Sequence, residues 1–247
     1  MTEHPAASAV PEDPLRLLRH GELELVGRLV DASNATFYCQ VELDGVEATC
    51  VYKPVKGERR LWDFPTGTLA DREVAAYTVS EATGWRIVPP TVARREGPFG
   101  PGMCQLWIDA DEGVDLVGLI RGGSGELRRM AVFDAVINNA DRKGGHLLPV
   151  SDGHVYGVDH GVCFSVDDKL RTVLWQWAGD PLPDEAVRTL DQLARQLVRG
   201  GELAVRLGSL LSAEEVGRTR ARVQRLLAAG THPEPSDDWP AVPWPPF

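Results

Sequence analysis

Residues 133–164, FDAVINNADRKGGHLLPVSDGHVYGVDHGVCF, constrain the fold more than any other stretch of this chain. They begin as the end of an apolar helix over 127–138, with Met130, Val132, Phe133, Val136 and Ile137 available for burial. A charged, glycine-bearing turn at 139–145 breaks that helix. Two short strands follow, 147–150 and 155–158, joined by the turn Ser151-Asp152-Gly153. The second strand delivers Asp159 immediately ahead of His160 and Gly161. Asp141 and Asp159 therefore stand at the mouths of two turns joined by a hairpin, close enough to share a metal-bound phosphate. Asp is common in turns, so two Asx turns flanking a hairpin are the plain alternative.

Phosphoryl transfer asks for residues in this order. A kinase catalytic loop places its base Asp five residues before a metal-binding side chain, and a second Asp precedes a Gly farther on. Here the fifth residue after Asp141 is His146, and the later Asp lies in Asp159-His160-Gly161.

The front of the chain supplies what such a site needs opposite it. Residues 1–13 are polar and Pro-containing, a disordered lead-in by composition, and 14–21 carry a short helix. From Glu22 the period changes to two. Leu23, Leu25, Gly27 and Leu29 alternate with polar residues, 36–43 resume the pattern, and Asp44-Gly45 signals a hairpin into a third strand over 46–52. The turn holding Ser33, Asn34 and Thr36 can cover phosphates with backbone N–H groups and hydroxyls, or be an ordinary hairpin loop. Lys53 ends the third strand. It is one of only four lysines, with Lys56, Lys143 and Lys169, and at an apolar strand end its ammonium needs an anionic partner. A solvated edge lysine is the alternative.

A loop over 54–68, anchored by Trp62 and Phe64, leads to a helix over 71–83 ended by Gly84. Glu73 falls in its first turn, where it can pair with Lys53, complement the helix dipole, or do both. Residues 85–92 and 103–108 read as the remaining strands. The run Cys104-Gln105-Leu106-Trp107-Ile108 passes into an acidic segment, the place for a hinge that offers backbone groups to an adenine ring. Gln105 and Trp107 are its candidates, on order alone. Residues 121–125 read as a flexible loop, and because its glycines precede Glu126 and no GK[ST], it does not form a P-loop.

The second half reads as helical. Trp175 and Trp177 suit core packing. A helix over 185–199 presents Val187, Leu190, Leu193, Ala194 and Leu197 on one face, and Ser212 with Glu215 makes a capping box for a last helix through 229. The tail 231–247, ending WPAVPWPPF, is too Pro-rich for helix or central strand. It is expected to dock in extended form through Trp239, Trp244 and Phe247.

Composition narrows the functions. A formal charge of -10 argues against an electrostatic nucleic-acid binder and leaves no basic run for an anionic membrane surface. No apolar run approaches the ~20 residues of a membrane span. The first residues lack a secretory signal, which makes the cytoplasm the default compartment. Cys39, Cys50, Cys104 and Cys163 form no CxxC pair, which favours reduced, buried thiols over a zinc site or a disulfide framework.

Together these residues resemble the phosphatidylinositol 3-/4-kinase-like superfamily, which includes the HipA-type bacterial protein kinases. The resemblance covers roughly residues 20–230 and is specific at 133–164, where Asp141-Arg142-Lys143-Gly144-Gly145-His146 stands for the superfamily's Asp-Arg-His-x-x-Asn. It implies an α+β, two-lobed protein-kinase-like fold, with an antiparallel N-lobe sheet over 14–108 and a mainly helical C-lobe over 109–230. It also implies ATP with Mg²⁺ or Mn²⁺ as cofactors, phosphate contact at Lys53, support from Glu73, catalysis at Asp141 and metal binding at Asp159. Lys143 replaces a His and can reach a γ-phosphate or pair with an acidic neighbour. His146 replaces a metal-binding Asn, and an imidazole suits Mn²⁺ better than Mg²⁺. His146 can equally sit behind the metal ligands. The implied reaction is transfer of the γ-phosphoryl group to a hydroxyl of a protein, lipid or small molecule. A nucleotide-binding pseudokinase and AMP transfer to protein stay open beside it.

Overall fold

The computed structural model describes residues 11–29 and 34–247. Its first layer is a five-stranded antiparallel sheet in the order β1-β2-β3-β5-β4. The strands are β1 (Glu22–Arg28), β2 (Phe37–Leu43), β3 (Val46–Pro54), β4 (Thr91–Arg94) and β5 (Gly102–Leu106). Asp44 and Gly45 both take positive φ, 54° and 81°, as a two-residue hairpin with this twist requires, and they set Leu43 opposite Val46. The period of two then puts Cys39, Val41, Ala48, Cys50 and Tyr52 on one buried face. Helix α1 (Pro14–His20), capped by the Asp13 side chain, covers that face with Leu17 and Leu18. Lys53 follows Tyr52 and so points to the other side.

Helix α2 (Leu69–Thr83) ends at Gly84 in the left-handed conformation. It starts two residues before the expected position, which moves Glu73 into the second turn and buries it. Ala75, Ala76 and Val79 pack into the core of the helical half, although α2 also lies against β4 and β5. That core surrounds α4 (Gly125–Ile137), whose residues 130–137 are all buried. A helix apolar on nearly every side belongs inside a body; α2 and α7 (Ala213–Ala229) pack against it, and α5 (Asp184–Gln196) and α6 (Glu202–Gly208) join the same core. The Ser212–Glu215 capping box that starts α7 is present. A two-stranded hairpin, β6 (Leu147–Pro149) with β7 (Val155–Gly157), follows α4.

Three expectations need correction. Residues 85–90 do not form a strand. Pro89 and Pro90 lack donors and Arg86 takes positive φ, so Trp85, Ile87 and Val88 turn into the helical core. The segment around 121–125 is not a loop alone, because α3 (Leu116–Gly122) runs into Gly123 at positive φ and Ser124 caps α4. Helix α5 stops at Gln196, and the seven-residue α6 is additional.

The tail docks differently from the expectation at one residue. Trp239 stacks on Trp62, and Phe247 lies against Gly144, but Trp244 is 85% exposed. Trp62 is also largely exposed, so Phe64 is the buried anchor of its loop. The four cysteines are free and buried. No helix among the described residues is long and apolar enough to cross a membrane.

Candidate active site

Strand β3 ends where α2 and the segment after β7 converge. Lys53 Nζ donates to Glu73 Oε1 at 2.6 Å and to Asp159 Oδ1 at 2.8 Å. Glu73 Oε2 accepts the backbone N–H of His160 at 2.8 Å, so both of its oxygens are held. Asp159 takes φ 63°, an uncommon conformation for a residue with a Cβ, and keeps about half of its side chain exposed. Backbone strain at a half-exposed acid facing a part-buried lysine is a frequent mark of a working site.

The electrostatics follow from this contact. Burial disfavours the charge on Lys53, but Asp159 and Glu73 outweigh it and hold the ammonium above the ordinary lysine range. Lys53 in turn holds Asp159 well below the usual carboxylate range, against the effect of burial. Burial pushes Glu73 up. Asp159 is thus the ionised, outward-facing member of the group.

Asp141 lies near enough to feel the charge of Asp159. Its N–H donates to Asn139 Oδ1 at 2.9 Å, an Asx turn that fixes the backbone, and its Oδ2 lies 3.3 Å from Lys143 Nζ. Burial raises the Asp141 carboxyl, with Lys143 and His146 opposing. Val158 donates its N–H to His146 O at 3.0 Å, which brings the start of the hairpin to its end and sets His146 Nε2 3.5 Å from Asp159 Oδ2. Burial lowers His146, leaving a neutral imidazole beside an ionised carboxylate.

Beneath these groups lies Arg142, completely buried. Its Nε and Nη2 donate to Asp134 at 3.0 and 2.9 Å, its Nη1 donates to Val158 O at 3.1 Å, and its Nη2 meets His160 Nε2 at 2.7 Å. An arginine can only donate, so His160 Nε2 accepts and the ring is neutral. Burial, with Arg142 adding to it, holds His160 well below the ordinary histidine value. A side chain on Gly157 would press on this guanidinium, which explains a glycine at the end of β7. One arginine therefore ties α4, the Asp141 turn and the Asp159 segment together. A second, Arg72, pairs with Glu215 and donates to Cys163 O at 2.7 Å, fastening α2 to α7 and to the same segment.

Sequence reasoning did not single out Asp134, Arg142 or His160. The available signal was one acid, Asp134, within the apolar run of α4.

The other candidates make contacts of their own. Ser33 falls outside the described residues. Asn34 Oδ1 accepts the Arg59 N–H at 2.7 Å, and Thr36 Oγ1 donates to Asn34 O at 3.3 Å, so both side chains serve the local turn. Gln105 Nε2 donates to Thr91 Oγ1 at 2.8 Å inside the sheet. Both N–H groups of Trp107 are engaged, the backbone one with Thr49 O and the indole with Asp109 Oδ1. Neither residue has the free donor expected of a hinge, because the β3–β5 pairing continues through this point.

No group of three or more His, Cys, Asp or Glu among the described residues could hold a metal ion by itself. Asp159 and His146 offer one hard oxygen and one neutral imidazole. That suffices for an ion that takes its other ligands from nucleotide phosphates and water.

The chain is 47% identical to protein Rv2133c of Mycobacterium tuberculosis (strain ATCC 25618 / H37Rv), over 98% of both chains. It belongs to the Rv2133c family. No family model matches it. This Rv2133c relative is also 28% identical to phosphatidylinositol 4-kinase gamma 4 of Oryza sativa subsp. japonica, over 63% of the chain and 34% of that protein, so it spans about a third of that relative. Among solved structures it is similar to hydra Fam20 with sugar, at a TM-score of 0.58 and 13% identity over 87% of this chain and 86% of that one. It is similar to the Helicobacter pylori proinflammatory kinase CtkA, at a TM-score of 0.51 and 11% identity over 84% and 92%. The Rv2133c-family chain has a protein-kinase-like α+β fold.

Proposed function

We propose that the chain is an ATP-dependent phosphotransferase working between lobes bounded at 14–108 and 109–230. The observation that carries this reading is Lys53, held at 2.6 and 2.8 Å between Glu73 and Asp159. Lys53 would bind phosphate oxygens of ATP, kept in place by Glu73. Asp159 and His146 would hold Mg²⁺ or Mn²⁺, which neutralises charge on the β and γ phosphates when bound. Asp141 would orient the acceptor hydroxyl and take its proton as the new oxygen–phosphorus bond forms. The bond from the γ-phosphorus to its bridging oxygen breaks, and its electron pair leaves with ADP. Lys143, beside Asp141, would steady the transferred group. The raised Asp141 carboxyl fits a group that must accept a proton near neutral pH.

His146 favours a second reading, because it stands where the resembled superfamily has a metal-binding Asn. A nucleotide-binding pseudokinase would keep Lys53, Glu73 and Asp159 and act as a regulatory module. AMP transfer is the remaining alternative chemistry. Incubation of the purified chain with ATP labelled at either the α or the γ phosphate separates the three. Transfer of γ label to protein or added acceptors is the expected result. Transfer of α label would show AMP transfer, and metal-dependent binding without turnover would favour the pseudokinase.

A further inference from the structure

Residues 239–247 lie along the Asp141 turn as an intramolecular peptide. Arg142 donates its N–H to Arg171 O at 3.0 Å and accepts that of Val173 at 3.1 Å, so the segment 171–173 is zipped to the turn that carries Asp141. The tail is seated on that segment. Ala241 O accepts from the Thr172 N–H at 3.0 Å and from the Trp175 indole at 2.8 Å, and Pro240 O accepts from Arg171 Nε at 3.2 Å. Farther on, Gly144 donates its N–H to Pro246 O at 2.8 Å. The Phe247 ring packs on Gly144 in space that a Cβ would fill, one residue from Lys143, whose ammonium lies 3.3 Å from Asp141.

The chemistry of groove and occupant is complementary. Prolines at 240, 243, 245 and 246 leave the tail with carbonyls and few N–H groups. The groove presents donors to match: the backbone N–H groups of Thr172 and Gly144, the Trp175 indole and the Arg171 guanidinium. This is how an extended, Pro-rich chain is bound, with carbonyls captured one by one and rings laid on flat places. Anchorage at the other end comes from Trp239, whose ring lies 4.6 Å from Lys169 Nζ and stacks on Trp62. Lys169 also pairs with Asp63 at 2.9 Å.

We infer that this groove is the acceptor site of the phosphotransferase and that its substrate class is an extended, Pro-rich polypeptide bearing a hydroxyl residue near the Phe247 position. Residues 239–247 occupy it as a built-in competitor without a hydroxyl. The inference rests on the phosphotransferase reading and names its acceptor. A lipid headgroup would need clustered cations, whereas the donors here are spread along the peptide and take the carbonyls of Pro240, Ala241 and Pro246.

The test uses the full chain with its strap released by Trp239→Ala and Phe247→Ala together, and Trp62→Ala as a second release that leaves the tail intact. Synthetic peptides with the sequence of 237–247, unchanged or carrying Phe247→Ser, Phe247→Thr or Phe247→Tyr, serve as probes. The unchanged peptide should bind the released variants at least ~10-fold more tightly than the intact chain, since a tethered segment competes at high effective concentration. The hydroxyl-bearing peptides should take up γ label from ATP, several-fold faster with the released variants. Absence of peptide binding by variants that still bind ATP would overturn the groove. Peptide binding without label transfer, in variants that still turn over ATP, would overturn its role as acceptor site. Peptide binding with no ATP binding by any form would instead overturn the phosphotransferase reading, and the acceptor role with it.

Discussion

Lys53 Nζ and Asp159 Oδ1 lie 2.8 Å apart although 106 residues separate them in the chain. The contact joins the end of β3 to the segment after β7, and Glu73 completes it from α2. Removing the ammonium by Lys53→Met leaves Glu73 buried with one oxygen unpaired. We expect a loss of about 1–3 kcal/mol in urea-unfolding stability, together with loss of ATP binding. Lys53→Arg should recover part of the stability and little of the binding, because a planar fork does not reproduce a point charge.

Asp134 and Arg142 form an ion pair with no exposed side-chain surface. Deleting one partner strands the other, so Asp134→Ala should cost about 3–5 kcal/mol. Combining Asp134→Leu with Arg142→Met should restore much of that stability. It should not restore activity, since Arg142 also binds Val158 O and His160. Chemical denaturation of the single and double variants decides this.

The sheet and the central helix were legible in the sequence because their signals are periodic: alternation across 37–54, and an apolar run before Asn138. The convergence of Lys53, Glu73, His146 and Asp159 could be anticipated from residue order, since few lysines end an apolar strand. The Asp134–Arg142–His160 support could not. A buried ion pair has no period, and Asp134 announces itself only as a charge out of place. Residues 85–90 misled because Trp, Ile and Val suit a strand as well as a plug. The seven-residue α6 is too short to show a helical face, and Trp244 shows that an aromatic in a Pro-rich tail need not dock.

Acid should destabilise the fold in two stages. His160 is held neutral, with its folded-state value below the unfolded value of about 6.5. As pH falls past about 6.5, the unfolded chain takes up a proton that the folded chain refuses. Its contribution is therefore complete above that pH and lost below it, by up to ~1.4 kcal/mol per pH unit. Asp159, depressed by Lys53, contributes above its unfolded value of about 4 and loses this as pH falls further. His160→Gln, which retains an acceptor for Arg142, should make the thermal-melting profile less steep between about pH 4 and 6.5, where burial also lowers His146 and His232 and keeps part of the slope, and should leave the lower stage unchanged.

Metal preference should follow residue 146. A neutral imidazole 3.5 Å from Asp159 favours Mn²⁺, whereas an amide oxygen favours Mg²⁺. His146→Asn should raise the ratio of Mg²⁺- to Mn²⁺-supported turnover by about tenfold, equivalent to ~1.4 kcal/mol of differential binding. Turnover titrated with each ion, in both proteins, measures the ratio directly.

The central claim is that Asp141 performs the chemistry at a nucleotide site built around Lys53. ATP affinity and γ-phosphoryl transfer measured side by side, in the unaltered chain and in Asp141→Ala, test it most directly. The account predicts that Asp141→Ala binds ATP with unchanged affinity and loses transfer by a factor of about 10² or more. Transfer that persists in Asp141→Ala at the rate of the unaltered chain would contradict it.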